Sequence, residues 1–141
     1  MKRPAPLVLV SGGNRGIGFE ACRSLAAAGA TVLLGARKLS DGERAARELA
    51  AAGSVAAVPL DVADAKSVAA LRARVEKEFG ALDVLINNAG VYADGGKNVL
   101  TVPEEAVERT LAANLLGAWR LCAAFGPGMA ANRRGRIVNV S

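Results

Sequence analysis

Three glycines in one short segment, Gly12, Gly16 and Gly18, have a spacing that suits the binding of a phosphate group. The segment follows an apolar run at residues 7–10 and precedes apolar positions at helical spacing. A glycine-rich turn between a buried strand and a helix directs backbone N–H groups and the positive end of the helix dipole at one point. We therefore predict a phosphate-binding turn, in which the glycines permit the turn, the approach of a pyrophosphate and close helix packing.

The spacing of these glycines is G-x-x-x-G-x-G, which differs from the commonest dinucleotide fingerprint, G-x-G-x-x-G. The alternative interpretation is a strand-to-helix turn that binds no ligand. A P-loop is disfavoured because no Gly-Lys-Ser/Thr sequence follows the turn.

Two arginines indicate which dinucleotide the turn would bind. In folds that bind nicotinamide dinucleotides, an acidic residue at the end of the second strand bonds the ribose hydroxyls. Residues 34–38 contain no acid, and Arg37 stands there instead. A guanidinium can pair with a 2′-phosphate through a forked contact, and Arg15 in the glycine turn can reach the same phosphate. We predict that NADP(H) is preferred over NAD(H); the alternative is that both arginines are only solvated.

Strands and helices alternate along the sequence. Strands are predicted at residues 7–10, 31–35, 55–60, 84–86 and 136–141, and helices at 17–28, 40–52, 64–78 and 101–131. Each strand is apolar on both faces, which is typical of a parallel sheet covered on both sides. Right-handed crossovers then give an α/β fold, a Rossmann-type doubly wound parallel sheet, in a single NAD(P)-binding domain over residues 1–141.

Local signals predict where the helices begin and bend. Capping boxes are predicted at Ser40 with Glu43 and at Thr101 with Glu104, the second with Pro103 in the first helical turn. Asp64 is predicted to cap the third helix. Residues 126–128, Gly-Pro-Gly, predict a kink or a loosened last turn in the final helix.

Composition excludes several classes of protein. The chain has 141 residues, 52% of them hydrophobic and 22% charged, so it can form a core and is not disordered. Its net charge of +5 is scattered, without a helix-turn-helix, aromatic or zinc pattern, which disfavours nucleic-acid binding. The apolar runs are too short for a membrane span or a signal peptide. Cys22 and Cys122 lack metal-ligand spacing and histidine is absent, so we expect no metal and two free thiols in a reducing cytoplasm.

Four motifs resemble those of the short-chain dehydrogenase/reductase family. Residues 11–18 resemble its Thr-Gly-x-x-x-Gly-Ile-Gly cofactor motif, with Ser11 in place of threonine. Residues 82–90 end in Asn-Asn-Ala-Gly and resemble a second signature, and Asn114 is similar to the asparagine of the Asn-Ser-Tyr-Lys tetrad. Residues 135–141 resemble the strand that leads to the catalytic serine. The motifs have the order and spacing of the family, and its carbonyl-reductase-like branch is the most similar.

The resemblance implies roles for individual residues. The implied cofactor-binding residues are Ser11, Gly12, Asn14, Arg15, Gly16, Ile17, Gly18, Arg37, Asp61, Val62, Asn88, Ala89 and Gly90. Asp61 and Val62 would contact the adenine, although Asp61 could instead only cap its loop, and residues 88–90 would line the ribose and nicotinamide side. Asn87 would tie strands together, with Asn139 supporting the sheet. Asn114, predicted to lie in mid-helix, would be catalytic because its backbone carbonyl holds a water in a proton relay.

The implied activity is hydride transfer between nicotinamide and a carbonyl or alcohol carbon of a small molecule. In the family pattern a tyrosine acts as acid or base beside a lysine, and a serine polarises the carbonyl. Ser141 matches the first of two serines, and Tyr92 is not the catalytic tyrosine because Gly96 stands four residues later. We therefore expect a fold truncated after the fifth strand, which would be an exposed edge, and cofactor binding without turnover. The full-length form would be a homo-oligomer; the rival interpretation is a non-catalytic dinucleotide-binding or scaffold protein.

Overall fold

The computed structural model describes residues 4–141, which form one parallel sheet with helices on both faces. In chain order the elements are β1 (Leu7–Val10), α1 (Gly16–Ala27), β2 (Thr31–Ala36), α2 (Leu39–Leu49), β3 (Ser54–Pro59), α3 (Ala65–Glu78), β4 (Val84–Asn87), α4 (Glu104–Asn114), α5 (Leu116–Ala131) and β5 (Arg136–Asn139). None of the helices in this part of the chain is both long and apolar enough to cross a membrane.

The five strands lie in the order β3-β2-β1-β4-β5, and all neighbouring pairs are parallel. Val10, at the end of β1, is in register with Leu34 of β2 and Ile86 of β4. The chain moves outward from β1 in one direction and then returns to its other side, so the strand order reverses between β1 and β4. Ligands bind at such a switch point, outside the carboxyl ends of the strands. The predicted doubly wound parallel sheet is confirmed.

The apolar side chains of the sheet divide between two cores. On one face Leu9, Leu33 and Leu85 contact the buried faces of α3 and α5. On the other face Val10 and Leu34 belong to a second cluster, with residues of α1 and α2. Successive strand residues point to opposite faces, so strands that are apolar throughout supply both cores.

The two sheet edges are less covered than the centre. All four residues of β5 are exposed, as predicted for the last strand, and β3 is only partly buried. An exposed strand edge leaves backbone groups available for pairing.

Both predicted capping boxes are wrong, whereas the single cap at Asp64 is confirmed. The N-cap of α2 is Lys38 and that of α4 is Pro103, and neither cap makes a side-chain hydrogen bond. α2 begins one residue before Ser40, and its Gly42 packs against β2 and β3. The Thr101 hydroxyl lies in the turn before α4, 3.3 Å from Asn98 Oδ1. Asp64 Oδ1 accepts from the Lys66 N–H at 2.9 Å.

The long final helix is divided at Leu115, where the sequence predicted no break. α5 continues through Pro127 to Ala131. The exposed proline is flanked by Phe125 and Met129, which are buried in the core and hold the helix on both sides of it. Burial of these two side chains outweighs the missing N–H of the proline.

Candidate functional site

The glycine turn lies at the switch point of the sheet and is bonded to both neighbouring strands. The Ser11 N–H donates to the Ile86 carbonyl at 3.0 Å, and the Gly13 N–H donates to the Gly35 carbonyl at 2.9 Å. Gly12 (φ +64°) and Gly16 (φ +58°) have left-handed backbone conformations that favour glycine. A Cβ at position 12 would lie 2.9 Å from Ala89 Cα, whereas no atom lies within 4 Å of one at position 16. The turn is therefore closed on the β4 side and open beside Gly16.

Asn88 braces this turn from the end of β4. Its Nδ2 donates to the Ser11 carbonyl at 3.1 Å and to the Gly12 carbonyl at 3.0 Å. A Cβ at Gly18 would collide with the Asn88 amide and the Gly12 carbonyl, so only glycine lets α1 approach this closely. Gly18 thus serves helix packing and lies behind the cleft described below.

The Ser11 side chain faces the protein interior. Ser11 is 1% exposed, and its hydroxyl accepts from the N–H groups of Asn88 and Ala89, both at 3.0 Å. The same hydroxyl donates to the Ile86 carbonyl at 3.4 Å. All of its hydrogen-bonding capacity is used on the end of β4, so Ser11 supports the turn and leaves no hydroxyl for a ligand.

A cleft of about 900 Å³ opens beside the turn, at the carboxyl edge of the sheet. The site residues that were predicted and that line it are Gly12, Asn14, Arg15, Gly16, Ile17, Arg37, Asp61, Val62, Asn88, Ala89 and Gly90. Three predicted residues lie outside the lining, Ser11, Gly18 and Asn114. This volume is at the large end of the range for small-molecule and cofactor sites.

Four cationic side chains line the cleft. Arg15 begins α1 beside Arg37 and Lys38, which follow β2, and Arg109 reaches the cleft from α4. None of the four forms an ion pair within residues 4–141. Sequence reasoning missed Lys38, although it adjoins Arg37, and missed Arg109, for which the sequence carries no signal because only the fold brings α4 to this edge.

Asp61 caps its loop, one of the two roles between which the sequence left a choice, and it also lies in the lining of the cleft. Its Oδ1 accepts from the Ala63 N–H at 3.0 Å, so it caps the loop that follows β3. Asp61 also lines the cleft, and its Oδ2 makes no hydrogen bond among the residues described. One carboxylate oxygen therefore shapes the loop and the other is available to a ligand.

Asn114 is the last residue of α4, not a mid-helix residue as predicted. Its Oδ1 accepts from the Val91 N–H at 2.7 Å, and its Nδ2 donates to the Val91 carbonyl at 3.0 Å. The side-chain amide therefore pairs with both polar groups of one backbone residue and fixes the loop after β4. Gly90 lies directly beside it, since a Cβ there would be 3.3 Å from Asn114 Oδ1.

Asn87 joins the last two strands, and its predicted structural role is confirmed. It is buried, and its Nδ2 donates to Asn139 Oδ1 at 2.8 Å.

Cys122 and Cys22 are both free thiols. Among the residues described, no group of three His, Cys, Asp or Glu side chains is placed to hold a metal ion.

Known proteins match nearly all of the chain. The family model for short chain dehydrogenase matches residues 6–141. An uncharacterised oxidoreductase of Mycobacterium tuberculosis is 37% identical over 139 residues, which cover 96% of this chain and 41% of the relative. The (+)-neomenthol dehydrogenase of Arabidopsis thaliana is 38% identical, with 94% of this chain and 52% of the relative covered. The chain thus spans about half the length of these curated relatives.

Solved structures show the same architecture. A metagenomic short-chain oxidoreductase in complex with NADP superposes with a TM-score of 0.90 at 36% identity, covering 96% of this chain and 62% of that one. An alcohol dehydrogenase from Thermococcus sibiricus, complexed with 5-hydroxy-NADP, gives a TM-score of 0.87 at 32% identity, covering 96% and 57%. Motifs, sheet order and relatives agree, and the chain belongs to the short-chain dehydrogenase/reductase family.

Proposed function

We propose that this chain is the NADP(H)-binding part of an oxidoreductase that transfers hydride between nicotinamide and the carbonyl or alcohol carbon of a small molecule. The observation that supports this most directly is the cleft at the switch point, which combines the glycine turn with cations that have no acidic partner within residues 4–141. A bound nicotinamide would supply the redox chemistry, and the chain would bind and orient it.

The lining residues divide the cleft into regions of different chemistry. At the turn, the open side of Gly16 and the start of α1 offer backbone N–H groups to a pyrophosphate. The free oxygen of Asp61 can accept from an adenine amino group. Ala89 and Gly90, beyond the turn, border the region proposed for the nicotinamide ribose.

The preference for NADP(H) over NAD(H) rests on charge. A 2′-phosphate adds about two negative charges, and Arg15 and Arg37 line the cleft with no acidic partner among the residues described. The nearby carboxylate of Asp41 is paired with Arg44 at 2.9 Å, so it repels an added phosphate less. The two solved relatives described above were complexed with NADP or 5-hydroxy-NADP, which supports the same proposal.

The test is a fluorescence titration of the chain with NADPH and with NADH. We expect NADPH to bind more tightly by about tenfold or more, equivalent to about 1.4 kcal/mol, and Arg37→Asp to abolish that difference. Arg47→Asp changes the charge equally in the last turn of α2, outside the cleft, and should leave both affinities unchanged. Equal affinities of the unaltered chain for NADPH and NADH would overturn the proposed preference.

We further propose that the chain alone binds cofactor without turnover. Its single tyrosine, Tyr92, is 86% exposed and has Gly96 four residues later, so it lacks the neighbouring lysine of the family pattern. The rival function, a non-catalytic dinucleotide-binding or scaffold protein, predicts the same result for this chain. Oxidation of NADPH by aldehydes and ketones, measured for the chain and for the product of its whole gene, distinguishes them: activity of the whole gene product supports the oxidoreductase.

Self-association is supported by an apolar stripe on the outside of α4 and α5. The stripe consists of Val107, Leu111, Leu115 and Trp119, which recur every four residues and are 42%, 48%, 60% and 65% exposed. Val107 and Leu111 lie one turn apart on α4. The Trp119 N–H donates to the Leu115 carbonyl at 3.0 Å, so helical spacing continues through the junction between α4 and α5. We propose that the stripe meets its own copy in a symmetric homo-oligomer.

The proposed location is the cytoplasm. Cys22 and Cys122 are free, as expected in a reducing compartment. The proposed partner is a small-molecule carbonyl or alcohol, because the proposed hydride transfer requires such a substrate.

A further inference from the structure

The loop after β3, residues 61–63, forms one wall of the cleft and rests on α5. Gly117, in the first turn of α5, is buried against Val62. A Cβ at position 117 would lie 2.6 Å from Val62 Cγ2 and 3.1 Å from the Val62 carbonyl oxygen. Any larger residue would move the loop, so the position of this wall depends on the surface of α5.

Arg120, almost one helical turn beyond Gly117, bonds the same loop. Its Nη1 lies 3.4 Å from the Val62 carbonyl oxygen and 3.3 Å from the Ala112 carbonyl oxygen, and it donates to both. The side chain is partly buried and has no acidic partner among the residues that the structure describes. The guanidinium therefore donates to backbone carbonyls and not to a carboxylate.

The two acceptors of Arg120 belong to different walls of the cleft. Val62 stands in the loop after β3, and Ala112 stands in the last turn of α4, where unsatisfied carbonyls attract a cation. Both residues line the cleft, whereas Arg120 does not. A single guanidinium nitrogen thus connects the two walls from behind.

We propose that Arg120 is a positioning residue that fixes the loop at residues 61–63 against the end of α4 and thereby sets the affinity for the adenine end of the nucleotide. This inference rests on the proposed function, because Asp61 is the residue assigned to the adenine. Lysine would not replace Arg120 fully, since its shorter side chain carries the ammonium less far toward the two carbonyls.

Binding of two nucleotide fragments tests the inference. Adenosine 2′,5′-bisphosphate reports on the adenine end of the cleft, and nicotinamide mononucleotide reports on the opposite end. Arg120→Met keeps an unbranched apolar side chain and should weaken the first fragment about fivefold to tenfold, as for the loss of one long hydrogen bond, with the second unchanged. Arg120→Lys should give an intermediate loss, and Arg47→Met, on the exposed end of α2, should give none.

Amide hydrogen exchange of the ligand-free chain provides a second readout. The N–H groups of Ala63 and Asp64 donate to Asp61 Oδ1 at 3.0 Å and to the Asp61 carbonyl at 3.1 Å, so both report on the loop. Arg120→Met should speed their exchange but not that of Gly13, which bonds β2. Unchanged exchange at 63 and 64, or equal losses for both fragments, overturns the inference. If the unaltered chain binds neither fragment nor NADPH, the proposed function fails while exchange still decides the role of Arg120.

Discussion

The two free cysteines differ in burial. Cys22 lies in the core beneath the glycine turn, where a Cβ at Gly13 would be 3.0 Å from its Sγ. Desolvation raises the pKa of the Cys22 thiol to about 12, from an ordinary value of 9.0. Cys122 is only partly buried. The Cys22 thiol therefore stays neutral at pH values where an ordinary thiol ionises.

This difference predicts how stability depends on alkaline pH. The unfolded thiol ionises near pH 9.0 and the folded one near pH 12, so the contribution of Cys22 is constant below pH 9 and declines as the pH rises toward 12. Cys22→Ala should cost about 1 kcal/mol at pH 7 by leaving a small cavity, and that deficit should shrink above pH 9. Urea unfolding of both proteins from pH 7 to 11 measures it. A deficit that stays constant over this range contradicts the prediction.

At single residues, sequence motifs predicted location better than orientation. Ser11 was predicted to bind cofactor, and it does stand in the turn, but its hydroxyl bonds the end of β4. Asp61 was predicted to contact the adenine or only to cap its loop; it lines the cleft, and one of its oxygens accepts a hydrogen bond within the local turn. Side-chain direction depends on neighbours that are distant in sequence, and those neighbours are known only once the strands have paired.

Helix boundaries show the same limit for whole elements. Asp64 caps α3 where its sequence predicts, and its side chain accepts from the Lys66 N–H. Ser40 does not cap α2, because the helix has already begun at Leu39. The helix packs closely on the sheet at Gly42, where a Cβ would lie 3.2 Å from that of Ala36 and 3.3 Å from that of Ala57. A capping sequence offers a helix start, and contacts with the sheet decide whether it is used.

The side chain of Asn114, which joins α4 to the loop after β4, gives a prediction about how these two elements hold together. Asn114→Ala removes both bonds to Val91 and should lower the free energy of unfolding by about 1–3 kcal/mol. Residues 91–100 should then become more sensitive to limited proteolysis. Asn132→Ala, at the exposed C-cap of α5, is the matched control. If urea unfolding shows equal losses of free energy for the two variants, the bonds of Asn114 to Val91 do not stabilise the fold.

For the molecule as a whole, the apolar stripe on α4 and α5 predicts association. Trp119 is the only tryptophan, so its fluorescence reports directly on the stripe. Raising the protein concentration should shift its emission to shorter wavelength and raise the mass measured by sedimentation equilibrium. Leu111→Ser should weaken association by at least about tenfold, as for a residue at the centre of an interface. Leu39→Ser, at an exposed position of α2, should leave association unchanged. A protein that stays monomeric at all concentrations refutes the proposed homo-oligomer.

The architecture was the part most predictable from the sequence. Alternating apolar runs and helical patterns predicted a doubly wound sheet, since few topologies satisfy short, right-handed crossovers. The arrival of Arg109 at the cleft was not predictable, because it depends on the angle at which α4 crosses the sheet edge. The same holds for Arg120, whose two acceptors, Val62 and Ala112, are 50 residues apart in the chain.

The Ser11 hydroxyl also constrains the order of events during synthesis. It joins the glycine turn to Asn88 and Ala89, which are 77 and 78 residues further along the chain. While a ribosome has released only β1, α1 and β2, the turn lacks these partners and its glycines are free to sample many conformations. A binding-competent cleft therefore arises only after residues through Gly90 have emerged and β4 has docked beside β1. Until then the proposed nucleotide cannot stabilise the nascent chain, which must fold this far without a ligand.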